Sequence, residues 1–289
     1  MTDPVYETDE PVLSETRDGV TWLTMNRPRY GNAQNSQMTY ALDAAITAAN
    51  ADEAVKVIVL RGAGRNFSGG HDIGTPGRDA HVTFPIRASN WHDHVGLPGS
   101  EMQFVREMEV YLGMCRRWRE GPKPMIASVH GACMAGGLML AWVCDLIVAS
   151  DDARFADPVL HMGFPGVEYF AHAFELPARV ARELVLLGEP IDAERAHTLG
   201  MVNRLVPRDT LEEETARIAA RIAAMPRFGL SLTRQAFNNT EDLQGKRAAM
   251  DMAFGLHHLA HAHNSLTSED NLAGLSGRDM ARLNRNEGE

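Results

Sequence analysis

The apolar residues in the first half of the chain change repeatedly from strand-like to helix-like spacing. Four alternating or β-branched runs predict strands at residues 19–26, 55–61, 124–130 and 145–150. Three runs with a period near 3.6 predict helices at residues 34–50, 103–120 and 135–143. Strands that alternate with helices indicate βα units, so the predicted fold class is α/β with a mainly parallel sheet.

The second half of the chain carries almost only helical spacing. From about residue 168 onward, the predicted helices span residues 168–187, 192–199, 210–224, 229–238 and 243–264. Residues 74–100 are rich in Gly, Pro, His and Asp without any period, which predicts a long loop. We therefore expect an α/β core over residues 15–205 and a C-terminal helical region over residues 206–289.

Charge and cysteine content narrow the class of protein. The net charge is −10 at pH 7 with no run of Lys and Arg, which argues against nucleic acid or an anionic membrane as a partner. The three cysteines have no metal-type spacing, so we expect reduced thiols and a cytoplasmic protein. The first 19 residues are polar and acidic, which predicts no signal peptide.

One nearly uncharged segment, residues 125–150, is long enough to resemble a membrane span. Gly131, Gly136 and Gly137 interrupt it, and its pattern fits strand, turn, buried helix and strand in turn. No membrane association is therefore expected.

Two glycine-rich turns, at residues 68–71 and 135–137, follow two of the predicted buried strands. The carboxyl ends of parallel strands lie together, and ligands usually bind there. Glycine lets backbone N–H groups approach a ligand, and two converging N–H groups would form an oxyanion hole. The alternative is purely structural, because glycine is also the default residue of tight turns.

Several ordered motifs resemble the crotonase, or enoyl-CoA hydratase/isomerase, superfamily. NRPRYGNA at residues 26–33 resembles the motif N-R-P-x-x-x-N-A, and FSGGHD at 67–72 resembles F-x-A-G-x-D. Residues 122–131, with AGG at 135–137 and CD at 144–145, resemble the family's K-P-x-I-A-x-V-x-G, G-G-G and C-D segment. Matches continue in register at residues 155–158, 163–166, 187–188 and 196–203.

The resemblance, which covers about residues 15–240, implies a ββα-spiral core with C-terminal helices and trimers that often pair into hexamers. It also implies an acyl-CoA thioester as substrate, with no cofactor beyond the coenzyme A of that substrate. The backbone N–H groups of His71 and Gly136 would form the oxyanion hole. Arg29 and Tyr30 match positions that contact coenzyme A.

Further substrate contacts follow from the same resemblance. The matching positions along the acyl group are Gly70, Asp72, Ile73, Met139 and Val159. For Asp72, a turn and capping role is the alternative. Arg278 or Arg282 would supply another phosphate contact, unless both are ordinary surface residues.

This chain departs from the family at both catalytic glutamates of a classical hydratase. The position three residues after the oxyanion-hole glycine is Met139, and the position after the proline of the F-x-x-P motif is Val159. General acid–base catalysis needs a group that transfers a proton, and neither side chain can do so. The usual hydratase mechanism therefore cannot run on these two positions.

Three other titratable residues fall near the same site. Glu168 is expected at the start of a helix, where an apolar pocket would shift its pKa towards neutrality and make it the best acid–base candidate. A charge–dipole contact with that helix is the alternative. Asp157 and His161 would share a face with Val159 in an extended segment and are the weaker candidates, with structural hydrogen bonds as their alternative.

Two histidine pairs have spacings that can bind a metal. They are His92 with His94 in the long loop and His257 with His261 on a helix. No carboxylate or cysteine near either pair in the sequence completes a recognisable set of ligands. The sequence therefore predicts no metal.

The leading hypothesis is an enzyme that acts on an acyl-CoA through an enolate, with Glu168 as acid and base. A single carboxylate suits double-bond isomerisation or C–C cleavage better than hydration. Two alternatives remain open at this point. One is a catalytically silent acyl-CoA-binding subunit, and the other is a hydrolase that cleaves a C–C bond of a diketone without coenzyme A.

Overall fold

The computed structural model describes residues 3–268, which fold around a six-stranded sheet. The strands are β1 Val12–Arg17, β2 Val20–Met25, β3 Val57–Gly62, β4 Met125–Val129, β5 Ala132–Met134, β6 Leu146–Ser150, β7 Arg154–Ala156, β8 Ile191–Asp192 and β9 Arg204–Val206. The large sheet has the order β1-β2-β3-β4-β6-β9, and a small sheet has the order β5-β7-β8. Only the β1–β2 pair of the large sheet is antiparallel, so the predicted parallel sheet is confirmed.

Helices pack on both faces of the large sheet. They are α1 Ser36–Ala51, α2 Gly99–Glu107, α3 Met114–Arg119, α4 Gly136–Trp142, α5 His172–Glu175, α6 Ala178–Leu187, α7 Ala193–Thr198, α8 Leu211–Ala223, α9 Arg227–Leu243 and α10 Lys246–Thr267. A π-helical segment, Met108–Gly113, joins α2 to α3. A 3₁₀ turn at Pro158–Met162 follows β7.

The central strands β2, β3, β4 and β6 are buried almost throughout, on both faces, as a parallel sheet covered by helices requires. In β3, Val57 and Val59 face a smaller core that α8 covers, whereas Ile58 and Leu60 face the main core. The first of the C-terminal helices therefore lies directly on the α/β sheet. Within residues 3–268, no helix combines the length and apolar composition that crossing a bilayer needs.

Three predicted elements were wrong. The helix expected at residues 168–187 is two helices, α5 and α6, and residues 168–171 before them are not helical. Residues 103–120 form α2, the π-helical segment and α3 instead of one regular helix. The second half of the chain, predicted to be almost wholly helical, also contains the short strands β8 and β9. Strand β9 extends the large sheet by pairing with β6.

The long loop predicted at residues 74–100 carries no helix or strand before α2 begins at Gly99, and two buried carboxylates hold it against the core. Asp79 accepts hydrogen bonds from the backbone N–H groups of Ser36 and Gln37 at the start of α1. Glu109 accepts three from residues 87–89. The loop is therefore held against the core at two points, Asp79 and residues 87–89.

A fully buried ion pair joins the two glycine-containing motifs of the N-terminal half. Arg27 Nη2 lies 2.8 Å from Asp72 Oδ2, and both side chains are at most 1% exposed. Arg27 also donates to the Ala33 carbonyl, and Asp72 accepts from the N–H of Thr75 at 3.0 Å. Asp72 thus has the predicted turn role, through Thr75, and also forms a buried ion pair with Arg27. Together these contacts fix the neighbouring His71.

Replacement of Arg27 by Met should destabilise the protein by about 3–5 kcal/mol, because it leaves the buried Asp72 carboxylate without its positively charged counter-ion. Urea unfolding followed by circular dichroism measures this change. Arg195→Met is the matched control, since Arg195 and Glu183 form an exposed ion pair. That variant should unfold like the wild type. Equal stabilities for the two variants would contradict the proposed role of the buried pair.

Candidate active site

The backbone of residues 70–71 approaches the start of α4 with no side chain between the two segments. A Cβ built on Gly70, whose φ is +98°, would lie 2.9 Å from the Met134 carbonyl oxygen and 3.3 Å from Gly136 N. Ala135, directly before α4, has φ 47° and ψ −113°, an unusual conformation for a residue with a Cβ. Strained backbone of this kind clusters at functional sites.

The two N–H groups predicted to form the oxyanion hole are free to bind a ligand. Gln34 pairs with the chain on either side of His71, donating to the Gly70 carbonyl and accepting from Asp72 N–H. Gly136 is the first residue of α4 and therefore has no acceptor within its helix. Neither His71 N–H nor Gly136 N–H donates to any atom of residues 3–268.

The positions of the two classical glutamates are apolar contacts in the structure. Met139 lies in α4, is completely buried and belongs to the main core. Val159 lies in the 3₁₀ turn after β7 and packs against the same core. Neither position therefore places a proton-transferring side chain near the N–H groups of His71 and Gly136.

The His71 side chain lies between the oxyanion-hole glycine and Glu168. A Cβ on Gly136 would be 2.5 Å from both Cδ2 and Nε2 of His71, so the ring passes directly over the start of α4. The same Nε2 atom of His71 is 3.6 Å from Glu168 Oε2. The ring of Tyr111 stacks on the imidazole at a centroid distance of 3.6 Å. Burial lowers the pKa of His71 to about 3, so the ring is neutral.

Glu168 is a buried carboxyl group at the centre of the site. Its side chain is 3% exposed, and its Oε2 atom accepts no hydrogen bond. Burial, and then the nearby carboxylate of Glu107, raise the pKa of Glu168 well above its ordinary value. A carboxyl group with a raised pKa can both give and accept a proton near neutral pH. Glu168 lies on a non-helical loop, so the predicted charge–dipole contact with its own helix is wrong.

The two weaker candidates have structural contacts instead. Asp157 Oδ2 accepts from Val167 N at 3.0 Å and from His172 Nε2 at 2.7 Å, which fixes the loop just before Glu168. His161 contacts the Leu187 carbonyl oxygen through Nε2 at 3.2 Å, away from Glu168. Asp157 precedes the 3₁₀ turn Pro158–Met162 and His161 lies within it, so the predicted extended segment, and the face it would share with Val159, are wrong.

Arg29, Tyr30 and Ile73, which the sequence predicts to contact the substrate, are exposed or half-buried. Arg29 is exposed, and its guanidinium group lies 5.6 Å from the centre of the Tyr30 ring. Ile73 is 44% exposed and directly follows the buried Asp72. Arg278 and Arg282 lie outside the residues that the structure describes.

A cluster of histidines from α10 borders the other side of Glu168. Its members His257, His258 and His261 are each at most 8% exposed, and all three face Glu107 at the end of α2. His257 Nε2 is also 3.8 Å from Glu168 Oε1. Burial lowers the pKa of His258 to about 4. Two of these histidines, His257 and His261, have a metal-type spacing in the sequence. The carboxylate that they face, Glu107, lies some 150 residues earlier and gives no such local signal.

Comparison with known proteins decides the family. The family model described as enoyl-CoA hydratase/isomerase matches residues 15–86 and 105–273. The chain belongs to the enoyl-CoA hydratase/isomerase family. Residues 87–104, which the match omits, fall in the long loop and the first part of α2.

The individual relatives cover most of the chain. It is 42% identical to EchA13 of Mycobacterium tuberculosis over 265 residues, which are 88% of this chain and 81% of that protein. It is 31% identical to the 1,2-epoxyphenylacetyl-CoA isomerase of Escherichia coli, over 80% of this chain and 83% of that enzyme. A Mycobacterium smegmatis structure described as a probable enoyl-CoA hydratase superposes with a TM-score of 0.80 at 41% identity, covering 90% of this chain and 98% of that one. The predicted crotonase fold is thus confirmed.

Replacement of Gly136 by Ala should destabilise the protein by about 1–3 kcal/mol, because the new methyl group overlaps the His71 ring. A second change, His71→Ala, should remove most of that penalty by opening the space. Urea unfolding of the two single variants and the double variant measures the coupling.

Gly229→Ala in α9 is the control, since nothing lies within 4 Å of the added Cβ. It should be neutral or stabilising by about 0.5–1 kcal/mol, as in an open helical position. Additive effects of Gly136→Ala and His71→Ala would contradict the placement of the ring over α4.

Proposed function

We propose that the protein binds an acyl-CoA thioester at the free N–H groups of His71 and Gly136 and transfers a proton to and from its enolate. The observation that carries this proposal is the placement of one buried carboxyl group with a raised pKa, Glu168, against the His71 ring that lies over Gly136. Two hydrogen-bond donors at a helix start stabilise a developing oxyanion, and removal of the α-proton then needs only one base.

The His71 ring connects Glu168 to the space over α4. Its Cδ2 and Nε2 atoms lie over Gly136, and the same Nε2 atom faces the carboxyl group, so the ring holds Glu168 next to α4. Tyr111, stacked on the ring, holds it in this orientation. In the proposed mechanism the thioester oxygen lies between the two N–H groups while Glu168, positioned by His71, moves the proton between carbons of the acyl chain.

Isomerisation is the reaction class that this arrangement favours. Hydration adds water across a double bond and uses two proton-transferring groups, whereas Met139 and Val159 supply neither and the proposed mechanism uses Glu168 alone. Isomerisation only moves a proton from one carbon to another, so a single group suffices. The isomerase among the relatives supports this class.

A silent acyl-CoA-binding subunit is the second candidate, because both classical glutamates are apolar in this chain. Such a protein would keep the N–H pair as a cradle for the thioester without turnover. The two candidates differ in one measurable property, which is exchange of the α-hydrogen of the bound acyl group.

We propose that the chain forms trimers, alone or paired into hexamers, through its last helices. Large apolar side chains are exposed on α9 and α10, including Phe228, Phe237, Met252, Leu259 and Leu266. Contiguous exposed apolar surface of this kind marks an interaction site. Its position on two adjacent long helices supports association between copies of the chain.

Glu168→Gln should slow exchange of the α-hydrogen of an acyl-CoA with solvent deuterium by about 10²–10⁴-fold. Mass spectrometry of acyl-CoA esters of different chain length, incubated with the protein in D₂O, measures the rate. Binding of the same esters should change little, since the N–H pair remains. Glu183→Gln, in an exposed ion pair, is the control and should exchange like the wild type.

The variant His71→Ala separates the ring of this residue from its backbone. It keeps the N–H group, so thioester binding should persist while exchange falls with that of Glu168→Gln. Exchange by the wild type that survives Glu168→Gln would sink the proposed mechanism. Binding without exchange by the wild type would favour the silent subunit.

Arg29→Ala should weaken acyl-CoA binding by about 10-fold, as loss of one charged contact predicts. Isothermal titration with a non-hydrolysable acyl-CoA analogue measures the change. Arg179→Ala is the control, because this exposed arginine lies on α6. No affinity of the wild type for the analogue, with no effect of Arg29→Ala, would point to a substrate without coenzyme A, such as the diketone considered above.

A further inference from the structure

The histidine cluster of α10 has a geometry that ordinary hydrogen bonding does not explain. His258 Nε2 lies 3.4 Å and His261 Nε2 3.3 Å from the same atom, Glu107 Oε2. None of these three buried atoms makes an aligned hydrogen bond within residues 3–268. Buried polar atoms normally have partners, so three unpartnered atoms aimed at one another require an explanation.

Two of the three separations, 3.3 and 3.4 Å, match the edges of a metal coordination tetrahedron. Zinc–nitrogen and zinc–oxygen bonds of 2.0–2.1 Å place neighbouring tetrahedral ligand atoms about 3.4 Å apart. The ligand atoms of Glu107, His258 and His261 all lie within 4.8 Å of one another. Two imidazoles and one carboxylate also form a chemically suitable set for a divalent transition metal.

The surroundings of the cluster are apolar and aromatic. The ring of His258 contacts Phe104 and Phe254 at centroid distances of 4.9 and 4.3 Å, and the ring of His261 contacts Phe164 at 4.4 Å. Such walls strengthen the attraction between a carboxylate and a bound cation, because they exclude water.

A neighbouring group shows how the cluster is oriented. His257 Nδ1 lies 2.8 Å from the Gly166 carbonyl oxygen and must donate, since a carbonyl only accepts. In a neutral ring, Nε2 then carries the lone pair, and this atom faces Glu107 Oε2 at 3.6 Å and Glu168 Oε1 at 3.8 Å. Glu107 Oε2 therefore receives no hydrogen bond from His257 in this tautomer, and it has no other hydrogen-bond partner within residues 3–268.

We propose that Glu107, His258 and His261 bind one divalent transition-metal ion, for which Zn²⁺ is the appropriate probe. Three protein ligands leave a fourth position open. The ligands come from α2 and α10, so the ion would fasten the C-terminal helix to the wall of the active site. The site does not depend on the proposed reaction, because its test measures metal alone.

Bound protons are the competing explanation for the cluster. Protonated histidines would balance the charge of Glu107 as ion pairs at 3.4 and 3.3 Å, but neither Nε2–H direction is aligned with Glu107 Oε2 as a good hydrogen bond requires. The two explanations predict different metal contents for the purified protein.

The experiment loads the full-length protein with Zn²⁺ and Co²⁺ after removal of metal by a chelator. The proposal expects one Zn²⁺ per chain by mass spectrometry after dialysis and the visible absorption of tetrahedral Co²⁺. Glu107→Gln and His261→Phe should each weaken Zn²⁺ affinity by about 100-fold or more, measured by competition with a chromophoric chelator. The Phe variant keeps a ring against Phe164, which protects the packing.

Two further variants keep the result interpretable. His261→Cys supplies another metal ligand and should restore Co²⁺ binding with a thiolate charge-transfer band. His263→Ala alters an exposed histidine on the same helix and should bind Zn²⁺ like the wild type. The proposal is overturned if the wild type binds no stoichiometric Zn²⁺ or Co²⁺, or if a correctly folded His261→Phe binds Zn²⁺ as tightly as the wild type.

Discussion

The candidate active site depends on the close approach of two backbone segments, residues 70–71 and the start of α4. No side chain fits between them at Gly70, and Ala135 adopts a strained conformation to bring Gly136 into place. Strain of this kind costs about 1–3 kcal/mol and persists only where the surrounding structure enforces it. Here Gln34 pairs on one side, and the buried contact of Arg27 with Asp72 anchors the other. Two unpartnered N–H groups are the result.

With the backbone arranged to hold an oxyanion, the side chains around it decide which reaction can follow. Met139 and Val159 bring only apolar surface, so we assign proton transfer to a different element, the loop that carries Glu168. That loop is fixed by Asp157, which contacts Val167 N–H and His172. An aspartate near the lost glutamate thus acts in positioning the carboxyl group that replaces it.

The sequence predicted those parts of the structure that rest on local patterns. The central strands follow from apolar runs, and the N–H pair follows from glycines at the ends of two of them. The sequence predicted Glu168 at the start of a helix, but this residue lies on a loop. Gly166, with φ +144°, and the contacts of Asp157 override the helical spacing there. Strands of two or three residues, such as β8 and β9, carry too few positions to show a period. Contacts far apart in sequence, such as Glu107 with the histidines of α10, leave no local signal.

One helical element ties the histidine cluster to the oxyanion site. Glu107 ends α2, and Tyr111, four residues later in the π-helical segment, stacks on His71. A π-helical turn inserts extra backbone into a helix and often lies at functional sites. Arg106 donates to the Tyr111 hydroxyl at 3.3 Å, which stiffens the same turn. Any displacement of Glu107 would therefore move the ring that supports His71. Glu168 contacts both His71 of the oxyanion site and His257 of the histidine cluster, so the two sites share this carboxyl group as well as the helical element. The charge of Glu107 therefore acts directly on Glu168, the acid that we assign to proton transfer.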